Sequence, residues 1–191
     1  LPDGIEQGAV RWSLTGLHNV ANALAALAAA RHVGVTAEHG TQALAEFENV
    51  KRRMQNLGCV RGVTVYDDFA HHPTAIASTL DGLRKQVGEQ KIIAVIEPRS
   101  NSMKLGAHRE GLAPSTELAD HVFWYAPDHL GWDLASTVAD ALVPTQVCKS
   151  LPAIIDGVLA LAEPGTQVVI MSNGGFGGIH GQLLEALEAS Q

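Results

Sequence analysis

Two kinds of hydrophobic patterning divide this chain. From Gly16 to Arg31 alanines and leucines follow one another with few interruptions, and Gly34 lies just beyond, which predicts a helix with apolar residues on nearly every face. A helix of that kind is expected to be buried almost all round. Thr36 then suits the N-cap of a second helix running to about Phe47, with Glu38 in the first turn where a carboxylate favours the helix dipole. A short apolar run from Ala9 to Leu14 predicts a strand ahead of both. These pieces are too few to enclose a core, so residues 1–47 read as the tail of a preceding domain.

Beyond the basic cluster Lys51-Arg52-Arg53 the pattern becomes regular. Short β-rich runs at Val63–Tyr66, Lys91–Ile96, His121–Tyr125, Thr145–Cys148 and Gln167–Met171 alternate with helical stretches. The helices are expected at Pro73–Val87, Gly106–Glu117, Leu134–Leu142, Leu151–Leu161 and Gly178–Glu188. Nearly continuous apolar strands separated by helices predict an α/β domain over residues 48–191, with a Rossmann-like, doubly wound, mainly parallel sheet covered on both faces. Ligands of such sheets gather beyond the carboxyl ends of the strands. The loops that follow the strands are therefore the places to seek chemistry.

Composition narrows the partners. The 191 residues are 46% hydrophobic and 17% charged, with a formal charge of −7 spread without any long run of one sign. That offers no electrostatic footprint for nucleic acid or an anionic membrane surface. The longest apolar run, Ala23 to Ala30, is too short to span a bilayer, and no charged-then-apolar leader opens the chain, so a cytoplasmic protein is expected. The only two cysteines, Cys59 and Cys148, sit in or beside strand-like runs and suit buried, inert thiols in a reducing compartment.

Three loops concentrate polar groups. After the first strand comes Asp67-Asp68-Phe69-Ala70-His71-His72-Pro73-Thr74, with two carboxylates, two imidazoles and a proline placed to open a helix. One alternative is structural capping; another is a metal held by Asp68, His71 and His72, although adjacent histidines point differently. After the second strand, Glu97-Pro98-Arg99-Ser100-Asn101-Ser102-Met103-Lys104 reads as an anion-binding loop. Arg99 can grip a carboxylate or phosphate with two nitrogens, Lys104 adds a point charge, and Ser100 and Asn101 offer neutral hydrogen bonds. A solvated turn is the plainer alternative. The last loop, Ser172-Asn173-Gly174-Gly175-Phe176-Gly177-Gly178-Ile179-His180, fails as a dinucleotide fingerprint because the third glycine is missing. It still provides flexible backbone that can approach a ligand at a helix start. Near the N-terminus, Asn19 and Asn22 share one helix face and need partners; capping accounts for Asn19 more readily than for Asn22.

In order and spacing, Gly16-Leu17-His18-Asn19-Val20-Ala21-Asn22-Ala23, Lys51-Arg52-Arg53 and the Asp67 to Thr74 loop resemble the Mur ligases, ATP-dependent amide-bond-forming enzymes of peptidoglycan metabolism. The Asp-Asp-aromatic-small-His-His-Pro-Thr form resembles the members that take a UDP-N-acetylmuramate acceptor. The Glu97 to Lys104 loop resembles the murein-recycling branch, which adds the tripeptide L-alanyl-γ-D-glutamyl-meso-diaminopimelate; a branch that adds L-alanine is the alternative.

The resemblance implies that Asn19, Asn22 and Arg53 serve the nucleotide, with the ribose-binding acid at either Asp67 or Asp68. It places His71 near the reacting groups, and Arg99, Ser100, Asn101, Lys104 and Asn173 along the peptide. ATP and Mg²⁺ are the implied cofactors, with acyl-phosphate formation followed by amine attack as the reaction. Positioning and charge stabilisation would dominate such chemistry. No Gly-x-x-x-x-Gly-Lys-[Ser/Thr] loop occurs in these 191 residues. On this reading residues 1–47 end a central ATP-binding domain, residues 48–191 form the C-terminal domain, and catalysis requires the family's N-terminal and central domains as well. These residues alone are therefore expected to be inactive. The competing classes are a noncatalytic binding module and a metal-dependent hydrolase.

Overall fold

The computed structural model describes residues 6–12, 14–98, 109–126 and 130–190. Arg99, Ser100, Asn101 and Lys104 lie outside them. The chain forms two compact units, Leu1–Val50 and Lys51–Gln191.

The first unit is a helix pair, α1 (Leu17–His32) and α2 (Ala37–Ala45). Gly16, at φ +85°, sets the start of α1, and Arg31 and His32 lie in its last turn, where cations suit the dipole. Thr36 caps α2 as expected, its hydroxyl accepting the His39 N–H at 3.3 Å. The helices meet where α2 has no side chain: a Cβ on Gly40 would lie 2.7 Å from Leu27 Cδ2.

Two expectations for this unit do not hold. Ala23 is the sole buried residue of α1, while Leu17, Val20 and Leu24 are 73%, 52% and 64% exposed. One short helix can cover only one stripe of another, so a helix apolar all round keeps its other faces uncovered within the pair. The run from Ala9 to Leu14 forms no strand among its described residues, since a strand needs a neighbour for its backbone groups and this unit supplies none.

In the second unit the strands are β1 (Gln55–Val60), β2 (Val63–Asp68), β3 (Ile92–Ile96), β4 (His121–Tyr125), β5 (Thr145–Cys148) and β6 (Gln167–Met171). They form one sheet in the order β1-β2-β6-β3-β4-β5. All neighbours are parallel except β1 and β2, which form an antiparallel hairpin. The mainly parallel α/β sheet expected from the alternation is present.

Edge strand β1 escaped the hydrophobic pattern. It is only half-buried, carries Gln55 and Asn56, and shifts register between Asn56 and Gly58, whose φ is +148°. Its turn to β2 puts both Arg61 (φ 53°) and Gly62 (φ 81°) in the left-handed region, the backbone that suits the twist of a two-residue hairpin.

Helices α3 (Pro73–Val87), α4 (Leu134–Thr137), α5 (Leu151–Leu161) and α6 (Ile179–Ala189) cover the sheet. The pleat sends alternate residues to opposite layers. Ile92, Ala94 and Ile96 join Ile76, Leu80 and Leu83 of α3, whereas Ile93 and Val95 join Ile154 and Val158 of α5 and Leu183 and Leu187 of α6. Each such fully buried aliphatic contributes roughly 1.5–3 kcal/mol, so the two layers supply most of the driving force.

Two predicted helices are shorter than their patterns. Within Gly106–Glu117 the described residues make single 3₁₀ turns, Arg109–Gly111 and Pro114–Thr116, because glycine and proline interrupt the backbone ladder. Helix α4 stops at Thr137, where the Ser136 and Thr137 hydroxyls donate to Asp133 O at 3.2 and 2.8 Å and compete with helical bonds.

The last strand, β6, enters between β2 and β3. That insertion sets the loops after β2, β6 and β3 side by side at one end of the sheet.

Candidate functional site

The register carries the acids to the very end of β2: Asp67 pairs with Ile170 and Asp68 with Met171 of β6. Being consecutive on a strand, their side chains leave opposite faces of the sheet. Their environments differ accordingly.

Asp68 is 4% exposed and fully engaged by the protein. Its Oδ1 accepts the Ala70 N–H at 2.8 Å and the Thr79 hydroxyl at 3.1 Å, and its Oδ2 accepts the Met54 N–H at 2.8 Å. These bonds tie the turn before β1, the start of the post-β2 loop and helix α3 to one carboxylate.

Asp67 faces charged side chains instead. Its Oδ2 accepts from Arg52 Nε at 3.2 Å and its Oδ1 meets His180 Nε2 at 3.1 Å. The other arm of Arg52, Nη2, donates to Ser172 O at 2.6 Å and Gly174 O at 2.7 Å. Arg52 therefore holds the end of β2 and the turn after β6 together. It does so from a left-handed backbone, φ 61°, uncommon for a residue with a side chain. Two bonds hold that conformation: Arg52 N–H donates to Gln55 Oε1 at 3.0 Å, and Arg52 O accepts Phe69 N–H at 2.8 Å.

At the end of β3, buried Glu97 accepts a 2.5 Å hydrogen bond from the Ser172 hydroxyl, which itself accepts the Gly174 N–H at 2.9 Å. Between Ser172 and Gly174, Asn173 Oδ1 is buried without a partner among the described residues. An acceptor in that state is costly to leave unpaired, and a ligand N–H would relieve it.

The Phe69 ring gathers the remaining cations. The guanidinium carbons of Arg52 and Arg53 lie 5.3 and 5.4 Å from its centroid, and the His71 ring stands edge-on to it at 5.5 Å. His71 Nδ1 lies 2.8 Å from Phe69 O, which can only accept, so Nδ1 carries a proton and donates it there.

Of the residues singled out from sequence, Asp67, Asp68, His71, Arg53 and Asn173 converge on this end of the sheet. Asn19 and Asn22 lie on α1 of the first unit. Asn19 Nδ2 donates to Thr15 O at 2.7 Å, and Asn22 Nδ2 donates to Asn19 Oδ1 at 3.4 Å. The metal alternative at Asp68, His71 and His72 meets a carboxylate with both oxygens already accepting protein donors and a His71 nitrogen already bonded. No metal-binding cluster of His, Cys, Asp or Glu occurs among the described residues. The thiols also part company: Cys148 is buried as expected, but Cys59 is exposed on edge strand β1.

Sequence reasoning passed over Arg52, His180, Ser172 and Glu97. Arg52 stood beside a more familiar arginine, and His180 is 113 residues from the acid it meets. Glu97 and Ser172 carried a usable signal, since each is the first residue after an entirely buried strand.

Comparisons with known proteins bear on this geometry. Residues 52–174 match the family model described as Mur ligase, glutamate ligase domain. The UDP-N-acetylmuramate–L-alanyl-γ-D-glutamyl-meso-2,6-diaminoheptandioate ligase of Escherichia coli (strain K12) is 50% identical over 188 residues, covering 98% of this chain and 41% of that protein. A UDP-N-acetylmuramate–L-alanine ligase of Mycolicibacterium vanbaalenii is 36% identical, covering 94% of this chain and 39% of that protein. The crystal structure of a murein peptide ligase from Psychrobacter arcticus superposes with a TM-score of 0.76 at 47% identity, over 99% of this chain and 41% of that one. The chain thus spans about two fifths of the length of these relatives. With the acids, the arginine pair and the Asp67 to Thr74 loop assembled at the strand ends inside the matched segment, this chain belongs to the Mur ligase family.

Proposed function

We propose that this chain forms part of an ATP-dependent ligase that joins UDP-N-acetylmuramate to the murein tripeptide L-alanyl-γ-D-glutamyl-meso-diaminopimelate. Residues 48–191 serve as its C-terminal domain and residues 1–47 as the tail of its central ATP-binding domain. The exposed apolar residues of α1 support the second assignment, because further protein laid over Leu17, Val20 and Leu24 would remove them from water.

The observation that carries this reading is the division of labour between the two acids. A carboxylate offers about four acceptor directions. Asp68 accepts two backbone N–H groups and a helix hydroxyl that belong to the fold, whereas Asp67 meets only the side chains of Arg52 and His180, which can turn aside for a ligand. Asp67 therefore fits a ribose diol, and it is the nucleotide-binding acid of the pair. Arg53, exposed over Phe69, would serve the same nucleotide.

His71 turns Nε2 away from its Nδ1 bond to Phe69 O just ahead of α3, and in its neutral form that nitrogen would orient the incoming amine by accepting one of its protons in a hydrogen bond. Asn173 Oδ1 gives that amine or its peptide a second acceptor, and Arg99, Ser100, Asn101 and Lys104 supply the cations and hydroxyls that a carboxylate-rich tripeptide requires. Bound ATP would supply the phosphoryl group that activates the muramoyl carboxylate, with ADP as the leaving group. No group of three or more His, Cys, Asp or Glu that could hold Mg²⁺ occurs among the described residues.

The test is turnover by the full-length ligase with ATP and UDP-N-acetylmuramate, offering the tripeptide and L-alanine in parallel. The tripeptide is the expected amine donor by at least about 100-fold in kcat/KM, well within the roughly 10⁴–10⁵ by which lost polar contacts can discriminate. Preference for L-alanine would assign the chain to the other branch, and turnover with neither would remove the ligase reading.

A further inference from the structure

We infer that Glu97 receives the incoming amine, its carboxylate pairing with the ammonium at the L-alanyl end of the tripeptide; this rests on the ligase reading proposed above. Strands β3 and β6 are parallel neighbours whose last residues, Ile96 and Met171, lie in register, and the Glu97 N–H donates to Met171 O at 2.9 Å. Glu97 and Ser172 therefore leave the sheet side by side, at the carboxyl ends where ligands of such sheets gather. The Ser172 hydroxyl accepts the Gly174 N–H at 2.9 Å and has one proton to give, which goes to Glu97 Oε2. Among the described residues that hydroxyl is the one donor to the Glu97 side chain, although a carboxylate has about four acceptor directions and this residue is buried. A buried acid so placed is unfavourable until a cation or further donors reach it.

The other two acids at these strand ends are provided for. Asp67 lies against Arg52 and His180, and Asp68 accepts two backbone N–H groups and the Thr79 hydroxyl. The Arg52 guanidinium also reaches the turn after β6, but its Nη2 donates to the carbonyls of Ser172 and Gly174 and not to Glu97. Charge then selects the ligand. A carboxylate at this place repels the phosphates of a nucleotide and the muramoyl carboxylate, so among the reactants an ammonium gains from it. An ammonium brings three donors, and a second acceptor for them follows directly after Ser172: Asn173 Oδ1, buried and without a partner among the described residues. The tripeptide carries an ammonium at its L-alanyl end and another on diaminopimelate. The L-alanyl nitrogen is the one that forms the new bond, and because β6 lies between β2 and β3, the turn holding Asn173 has the His71 loop on one side and Glu97 on the other.

The experiment is calorimetry on the full-length ligase, saturated with UDP-N-acetylmuramate and a non-hydrolysable ATP analogue so that no turnover occurs. It compares the tripeptide with two analogues, one lacking the L-alanyl amine and one lacking the free amine of diaminopimelate, on the wild type and on Glu97→Gln, whose amide oxygen can still accept from Ser172. The wild type is expected to bind the tripeptide about 10-fold or more tightly than the analogue without the L-alanyl amine, and Glu97→Gln to bind the two within about 2-fold of each other. The coupling between residue and amine is what a purely structural Glu97 would not show. Equal binding of the two by the wild type overturns the inference without any variant. A preference that survives in Glu97→Gln also overturns it, and would leave Glu97 to a cation of the protein. So does coupling to the diaminopimelate amine alone, or a loss of affinity for ATP that matches the loss for tripeptide and tracks a lowered melting temperature. If Glu97→Gln does not fold, Glu97→Asp, which withdraws the charge by one methylene, is read by the same ratio. Absence of wild-type turnover with the tripeptide refutes the functional reading and this inference together, whereas turnover with an unaltered preference in the variant refutes this inference alone.

Discussion

Replacing the two adjacent acids one at a time should separate folding from binding. Asp68→Ala removes an acceptor from two backbone N–H groups and the Thr79 hydroxyl in a pocket where the carboxylate is 4% exposed. The hydroxyl can turn to another acceptor, but the Met54 and Ala70 N–H groups cannot. A buried group left unsatisfied costs about 1–3 kcal/mol, so the two together put the loss near 3–5 kcal/mol once the charge-assisted character of the bonds is counted. Against a typical total of about 5–15 kcal/mol that is a large fraction. Asp68→Asn keeps one carbonyl for Ala70 and Thr79 but turns an amide donor toward the Met54 N–H, which leaves a cost of about 1–3 kcal/mol. Asp67→Asn should cost no more than that, about 1–2 kcal/mol, because Asp67 is also buried but Arg52 retains both carbonyl partners and the amide oxygen can still face it. Its effect should fall on ATP, with the loss of a charged acceptor weakening binding roughly 10-fold, or about 1.4 kcal/mol. Urea unfolding followed by tryptophan fluorescence measures the first quantity, and the KM for ATP in the full-length ligase measures the second. The reverse pattern, with Asp68→Asn sparing stability and weakening ATP while Asp67→Asn unfolds the protein, would refute the assignment of roles.

Two further outcomes follow from the thiols and from Tyr66. Cys59 is exposed, while burial pushes the Cys148 thiol above its ordinary value of 9.0, so a disulfide reagent at mildly alkaline pH should label one thiol rapidly and the other only on unfolding. Cys59→Ser should abolish the fast phase, and two equally fast thiols would contradict the burial. Tyr66 is raised above its ordinary value of 10.0, first by burial and then by the neighbouring Cys59 charge. The folded state then holds its phenolic proton where the unfolded chain has lost it, so this contribution to stability is whole below about pH 10 and declines as pH rises through the folded value. Urea midpoints compared between about pH 9 and pH 11 should fall less steeply in Tyr66→Phe than in the parent, and equal slopes would remove Tyr66 as a cause.

How legible all this was in the sequence depended on how many choices each feature left open. Strands β2, β3, β4 and β6 announced themselves because both faces are covered and their apolar runs have no competing explanation. Strand β1 did not, since an edge strand with one wet face and a register shift at Gly58 has neither a continuous nor an alternating pattern. Helix α1 showed the opposite failing. Its composition states what it would prefer to bury, but burial is a property of what lies around a helix, and two helices cannot enclose one of them.

The site's location was legible from the density of acids and histidines after β2, and its division of labour was not. Two binary variables decide that division. The pleat sends Asp67 toward Arg52 and His180 and Asp68 toward Met54, Ala70 and Thr79, so a shift of a single residue would exchange them. A positive φ at Arg52 does the same for the arginine pair: both guanidiniums lie over Phe69, but only the first also reaches Asp67 and the turn after β6 among the bonds described. Neither variable changes composition, spacing or hydrophobicity. Adjacent residues of the same type are thus where a motif identifies a site correctly and still misassigns its parts, and they are where one-residue substitutions tell the most.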